Sequence, residues 1–64
     1  MKKLIYEDIN LKTHFLYEIY SYNTGLRISD LKYYVYEVDP DGQRTFIGEF
    51  TEDEASKFVR EKCR

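Results

Sequence analysis

The run Tyr33-Tyr34-Val35-Tyr36-Glu37-Val38, the four residues Asp39-Pro40-Asp41-Gly42 and the run from Gln43 to Phe50 leave this chain few folds to choose from. Pro40 presets φ for the first corner of a type I turn, Asp39 suits the position before it, and Gly42 can take the left-handed conformation of a G1 bulge. Such a turn sets the register of the hairpin. It pairs Asp39 with Gln43, Val38 with Arg44, Tyr36 with Phe46, Tyr34 with Gly48 and Lys32 with Phe50. The opposite face carries Tyr33, Val35 and Glu37 against Glu49, Ile47 and Thr45.

Directly after the hairpin, Thr51 opens a helix, Glu54 completes a capping box three residues on, and Phe50 is placed to staple against Ala55. Acids fill the first turn and bases the last, as the helix dipole prefers. Ala55, Phe58, Val59 and Cys63 fall on one stripe, so the helix has a narrow apolar seam to lay on the sheet. Because Phe50 leads straight into the helix, the seam is expected on the face of Tyr34, Tyr36, Phe46 and Phe50. The face of Tyr33, Val35 and Ile47, with one side of Phe15, Tyr17 and Ile19, is then expected to stay open.

In the N-terminal half, Phe15 to Tyr22 is rich in aromatic and β-branched residues, which favours a strand, and Asn23-Thr24-Gly25 ends it. Lys3 to Ile9 reads as a further strand. A helical reading of the first 22 residues stays open, since Ile5, Ile9, Leu16 and Ile19 fit the 3.6 period loosely, although Asn10 and Thr13 are weak helix formers. Ser29-Asp30 either caps a single helical turn or sits in a plain loop. The expected fold is a single α+β domain over residues 1–64, an antiparallel sheet of three or four strands with the C-terminal helix packed on one face.

A chain of 64 residues supports one core, and a domain of that size buries only about 60% of the surface its unfolded chain exposes. Seven of its residues are tyrosines, whose hydroxyls need water or a partner. Small proteins usually offset this shortfall with disulfides, metal or oligomerisation. Cys63 is the sole cysteine, so it makes no internal disulfide, and with His14 it falls short of a structural zinc site. Homodimerisation is therefore the expected aid. Glu7 and Asp8 cut short any apolar run that could act as a signal sequence, and no apolar stretch approaches the roughly 18 residues of a membrane span. A soluble, cytoplasmic protein is expected.

Nothing in the sequence assembles a reaction. A nucleophile needs a base within reach and a group to orient that base; the single His14 lies beside the second strand, and Cys63 lies in the last helical turn, where the dipole disfavours a thiolate. Glu37, Asp39, Asp41 and Gly42 match positions 1, 3, 5 and 6 of an EF-hand loop, but position 12 is Gly48 and both flanks read as strands. The glycines are isolated, so no phosphate loop exists. No enzyme, metal or cofactor is expected.

The net charge of −2 argues against direct nucleic-acid binding, but its distribution is uneven. Between positions 37 and 54 stand Glu37, Asp39, Asp41, Glu49, Glu52, Asp53 and Glu54, with Arg44 the only base. They are expected to form an acidic patch that either caps a helix and solubilises a turn or steers a basic partner. Tyr33, Val35 and Ile47 are the expected second contact surface.

Tyr20-Ser21-Tyr22-Asn23-Thr24-Gly25-Leu26-Arg27-Ile28-Ser29-Asp30-Leu31 resembles the strand-to-helix segment of small phage-encoded uracil-DNA glycosylase inhibitors, which are dimeric DNA mimics. In that family an aromatic and an acid follow the Ser-Asp pair and help seize the enzyme; here Leu31 and Lys32 stand there, and Leu31 alone suits an apolar contact. The Pro-Asp-Gly hairpin and capped helix have no obvious counterpart in it. The resemblance implies a homodimer that blocks a host DNA-processing enzyme by mimicking DNA, in the host cytoplasm. The alternative is a structural or oligomerising subunit of a larger assembly.

Overall fold

The computed structural model describes residues 2–23, 25, 27 and 31–64. Four strands, β1 (Lys2–Ile9), β2 (Leu16–Asn23), β3 (Leu31–Val38) and β4 (Arg44–Phe50), form one antiparallel sheet in the order β1-β2-β3-β4, and helix α1 (Glu52–Lys62) packs against it. The fold is α+β, with both N-terminal segments extended as their residue types favour. The Ser29-Asp30 alternative lies outside the described residues.

The β3–β4 turn forms as its residues dictate. Gly42 N–H donates to the Asp39 carbonyl at 2.9 Å and Gly42 has φ +90°, the left-handed conformation that a side chain would strain. One Asp39 carboxylate oxygen accepts from the amides of Asp41 at 3.0 Å and Gln43 at 2.8 Å. The β1–β2 connection uses the same device, with the Asn10 side chain accepting from Lys12 and Thr13 amides before His14 turns the chain at φ 66°. At the start of α1, Thr51 and Glu54 close the capping box in both directions.

The register departs from expectation at one residue. Val38 pairs with Arg44, Glu37 with Thr45 and Tyr36 with Phe46, but Val35 pairs with Gly48, Tyr34 with Glu49 and Tyr33 with Phe50. Ile47 is the extra residue of a β-bulge, and each residue after it changes face. Phe50 therefore joins Tyr33 and Val35. The helix does follow Phe50, as expected, but the face it covers is the opposite of the one expected. Tyr17, Ile19, Val35, Ala55 and Val59 form the buried core, with Val35 and Val59 at 0% exposure, and Phe15, Tyr33, Phe50, Phe58 and Cys63 pack around it. Phe50 stacks on Phe58 at 5.5 Å, and Tyr17 meets Phe58 edge-on at 6.2 Å.

Val35 and Tyr33 thus leave the expected open surface: Val35 is core, and Tyr33 is half-buried with its hydroxyl donating to Glu52 at 3.1 Å. Ile47 remains exposed, on edge strand β4. A second register shift, between Leu4 and Tyr6, makes β1 an irregular edge. Leu4, Ile5, Tyr6 and Ile9 along it are exposed.

Candidate functional site: the uncovered aromatic face

With Tyr17, Ile19, Val35 and Phe50 turned toward α1, strand alternation sends Tyr20, Tyr22, Tyr34, Tyr36 and Phe46 to the other side. No element covers that side among the described residues. The five rings touch in sequence. Tyr22 stacks on Tyr34 at 5.9 Å, Tyr34 meets Phe46 edge-on at 5.8 Å, Phe46 tilts against Tyr36 at 5.3 Å, and Tyr36 meets Tyr20 edge-on at 5.4 Å. Phe46, at the centre of the series, is 54% exposed. Most of these contacts are edge-on or tilted, the arrangement that ring quadrupoles favour, so the rings hold one another in place without a second layer.

Cations border the rings. The Lys2 ammonium lies 5.0 Å from the centroids of both Tyr20 and Tyr36 and donates to the Tyr36 hydroxyl at 3.3 Å. The Arg44 guanidinium lies 6.0 Å from the Tyr36 ring and grips Glu18, with Nε 3.0 Å from Oε1 and Nη2 donating to Oε2 at 3.3 Å. Glu18 is only 5% exposed although it stands on the face without a helix. Its Oε1 is in ion-pair contact with Arg44 yet receives no aligned hydrogen bond.

The acidic residues do not form one patch. Glu37, Asp39 and Asp41 lie at the hairpin-turn end of the sheet, whereas β4 carries the chain about 23 Å to the other end, where Glu49, Glu52 and Asp53 stand. The helix runs back from there, and Asn10 at the turn end donates to the carbonyl of Lys62. What the far end does assemble is a shallow groove of about 520 Å³ in which Leu31, Tyr33, Glu49 and Glu52 meet beside Phe50. Its acids are engaged locally: Glu49 pairs with Lys32 at 3.7 Å, and Glu52 accepts from Tyr33.

Sequence reasoning passed over the Glu18–Arg44 pair, although both residues stood out, Glu18 as the one charged residue between Phe15 and Asn23 and Arg44 as the lone base among acids. At the turn end, the Tyr17 hydroxyl donates to Glu37 at 2.8 Å. Burial first, and then that hydrogen bond, push the Tyr17 phenol up from 10.0 to about 12. Because the folded state holds this proton more tightly, the resulting stabilisation is complete below pH 10 and is lost as pH rises from 10 to about 12. Urea melts across that range should show the loss, and Tyr17→Phe should flatten it. Burial also raises the Cys63 thiol, with Asp8 adding to the effect, so this sulfur is not activated for attack.

Comparison with protein-family models, with curated proteins and with solved structures finds no match for the chain.

Proposed function

We propose that this chain is a non-enzymatic protein-binding module whose contact surface is the aromatic face opposite the helix. The observation that carries the reading is the continuous series of five rings, left uncovered and centred on an exposed phenylalanine. Such a surface gives a partner large, preorganised apolar area with hydroxyls at its margin, the composition enriched in interface centres. Lys2 lays its ammonium over Tyr20 and Tyr36 and Arg44 adds a cation beside Tyr36, charges that favour orientation and encounter rate over affinity. Phe46→Ser removes the central ring at little cost to a core on the other side. Immobilised wild-type chain should retain a partner that the Phe46→Ser chain, equally folded by circular dichroism, releases. Equal retention by both would refute the assignment of the surface.

A finer reading, an inhibitor of a host DNA-processing enzyme such as uracil-DNA glycosylase acting by DNA mimicry, is favoured by the groove where Leu31 meets Tyr33, Glu49 and Glu52. An apolar floor flanked by carboxylates offers a basic DNA cleft both a contact and a counter-charge. Adding the chain to a uracil-excision assay should suppress turnover, and Glu49→Lys with Glu52→Lys should abolish the suppression. Unaltered turnover with excess chain would remove this reading.

A further inference from the structure

We infer that the strip of sheet between β1 and the flank of α1 is a docking site for an acidic amphipathic helix of a partner protein, laid over β1 beside α1. This strip lies on the helix side of the sheet, so it can be occupied whatever binds the aromatic face.

Space for a second helix is present. Four strands at ordinary spacing make a sheet about 19 Å wide, whereas one helix with its side chains covers only about 10 to 12 Å. The sheet therefore has room for two helices side by side, and the described residues supply one. Helix α1 packs on β2, β3 and β4. On β1, Tyr6 stands opposite Ile19 and Asp8 opposite Tyr17, so both project to the side of the buried core. Tyr6 is nevertheless 47% exposed. Two hollows mark the unfilled strip: Tyr6 meets Ser56 and Arg60 in one, and Asp8 and Leu11 meet Cys63 and Arg64 in the other, nearer the β1–β2 turn. The register shift between Leu4 and Tyr6 spoils β1 as a template for a fifth strand, which favours an occupant lying on the strand over one paired beside it.

The charge along the strip selects the occupant. Arg60 and Arg64 line the two hollows, and Lys57 joins them along the outer rim of α1, the three recurring at the three- and four-residue spacing of one helix flank. None of the three makes an ion pair among the described residues. The nearby acids do not neutralise them. Asp8 is held by its own strand, one oxygen accepting from the Ile9 amide at 2.8 Å and the other from the Tyr6 hydroxyl at 3.4 Å, and Glu61 is exposed on the rim with no cation in contact. The strip thus has a partly apolar floor, with Tyr6 at one point and Leu11 and Cys63 at another, and unpaired cations along one wall only. An amphipathic helix fits that arrangement with its apolar stripe down and acids on the flank toward α1, as flanking charges do between paired helices. A recessed strip offers a flat anionic membrane little entry, and three cations in one row fall short of the footprint of a duplex binder.

The test is fluorescence anisotropy with a labelled peptide of about 18 residues, leucines at helical spacing on one face and glutamates along one flank. The wild-type chain should bind it with a Kd of roughly 1 to 100 µM. Lys57→Glu/Arg60→Glu, at exposed positions that leave the circular dichroism spectrum unchanged, should weaken binding at least about tenfold. That variant should instead prefer the same peptide with lysine in place of glutamate. Tyr6→Ser should also weaken binding, whereas Phe46→Ser should leave it unaltered. No binding up to about 1 mM peptide, equal binding of the glutamate and lysine peptides, or wild-type affinity in the Lys57→Glu/Arg60→Glu chain would each overturn the site. Displacement of the peptide by duplex DNA or by vesicles of anionic lipid would overturn the helix as occupant, as would self-association that the same double substitution abolishes. The aromatic face is tested apart from this, because loss of a partner through Phe46→Ser leaves peptide binding intact and loss of the peptide through Lys57→Glu/Arg60→Glu leaves that partner bound.

Discussion

Replacing Arg44 with Met should destabilise the chain by about 2 to 4 kcal/mol, far more than removal of a surface arginine ordinarily costs. The reason is the partner it would abandon. Glu18 is 5% exposed, flanked by its cross-strand neighbours Glu7 and Tyr36, and its contacts to the guanidinium at 3.0 and 3.3 Å supply its counter-charge. Without Arg44, a carboxylate would remain desolvated and uncompensated. The double substitution Glu18→Met/Arg44→Met removes the buried charge together with its exposed partner and should return to near wild-type stability, because an ion pair that holds a desolvated carboxylate often does no better than apolar side chains of similar volume. Urea midpoints of the two single variants and the double variant measure the coupling directly. Equal small losses in all of them would show that the pair is solvated.

The second large effect is expected under the helix. Val59 and Val35 have no exposure and join α1 to the centre of the sheet. Val59→Ala removes two methyl groups that neighbouring side chains can only partly replace, at a cost of about 2 to 3 kcal/mol. A 64-residue domain commands only about 3 to 10 kcal/mol in all. The loss should lower the thermal midpoint by roughly 10 to 20 °C at this size. Phe46→Ala removes a larger side chain, but from the uncovered face, and in dilute monomer should shift the midpoint much less. The reverse order of the two effects would mean that the helix lies on the other face.

The contrast between Val59 and Phe46 turns on the feature of the fold that was hardest to read in the sequence. Turn, strand and cap residues announced themselves, because Asp39, Pro40, Gly42, Thr51 and Glu54 each act within a few residues of their own position. Strand parity is different, since one inserted residue reverses every face that follows it. The bulge at Ile47 did so, carrying Phe50 from the side of Tyr34 and Tyr36 to that of Tyr33 and Val35. A signal was present: Gly48 follows the strand-forming run Thr45-Phe46-Ile47 inside β4, and glycine inside a strand often marks a bulge. The helix follows Phe50 onto the face of Tyr33 and Val35, which leaves Tyr34, Tyr36 and Phe46 uncovered among the described residues. The acidic patch came apart for another reason. Residues close along the chain from Glu37 to Glu54 are separated by the whole length of β4, a distance that sequence proximity conceals.

Hydroxyl-radical footprinting of the aromatic side chains, comparing the free chain with the chain held by a captured partner, tests most directly whether the face opposite the helix makes the contact. Phe46, Tyr34 and Tyr22 should lose reactivity together on association, while Tyr6 and Tyr33, on the helix side of the sheet, should keep theirs. Protection confined to Tyr33 and its groove, with Phe46 reacting as freely as before, would contradict the assignment.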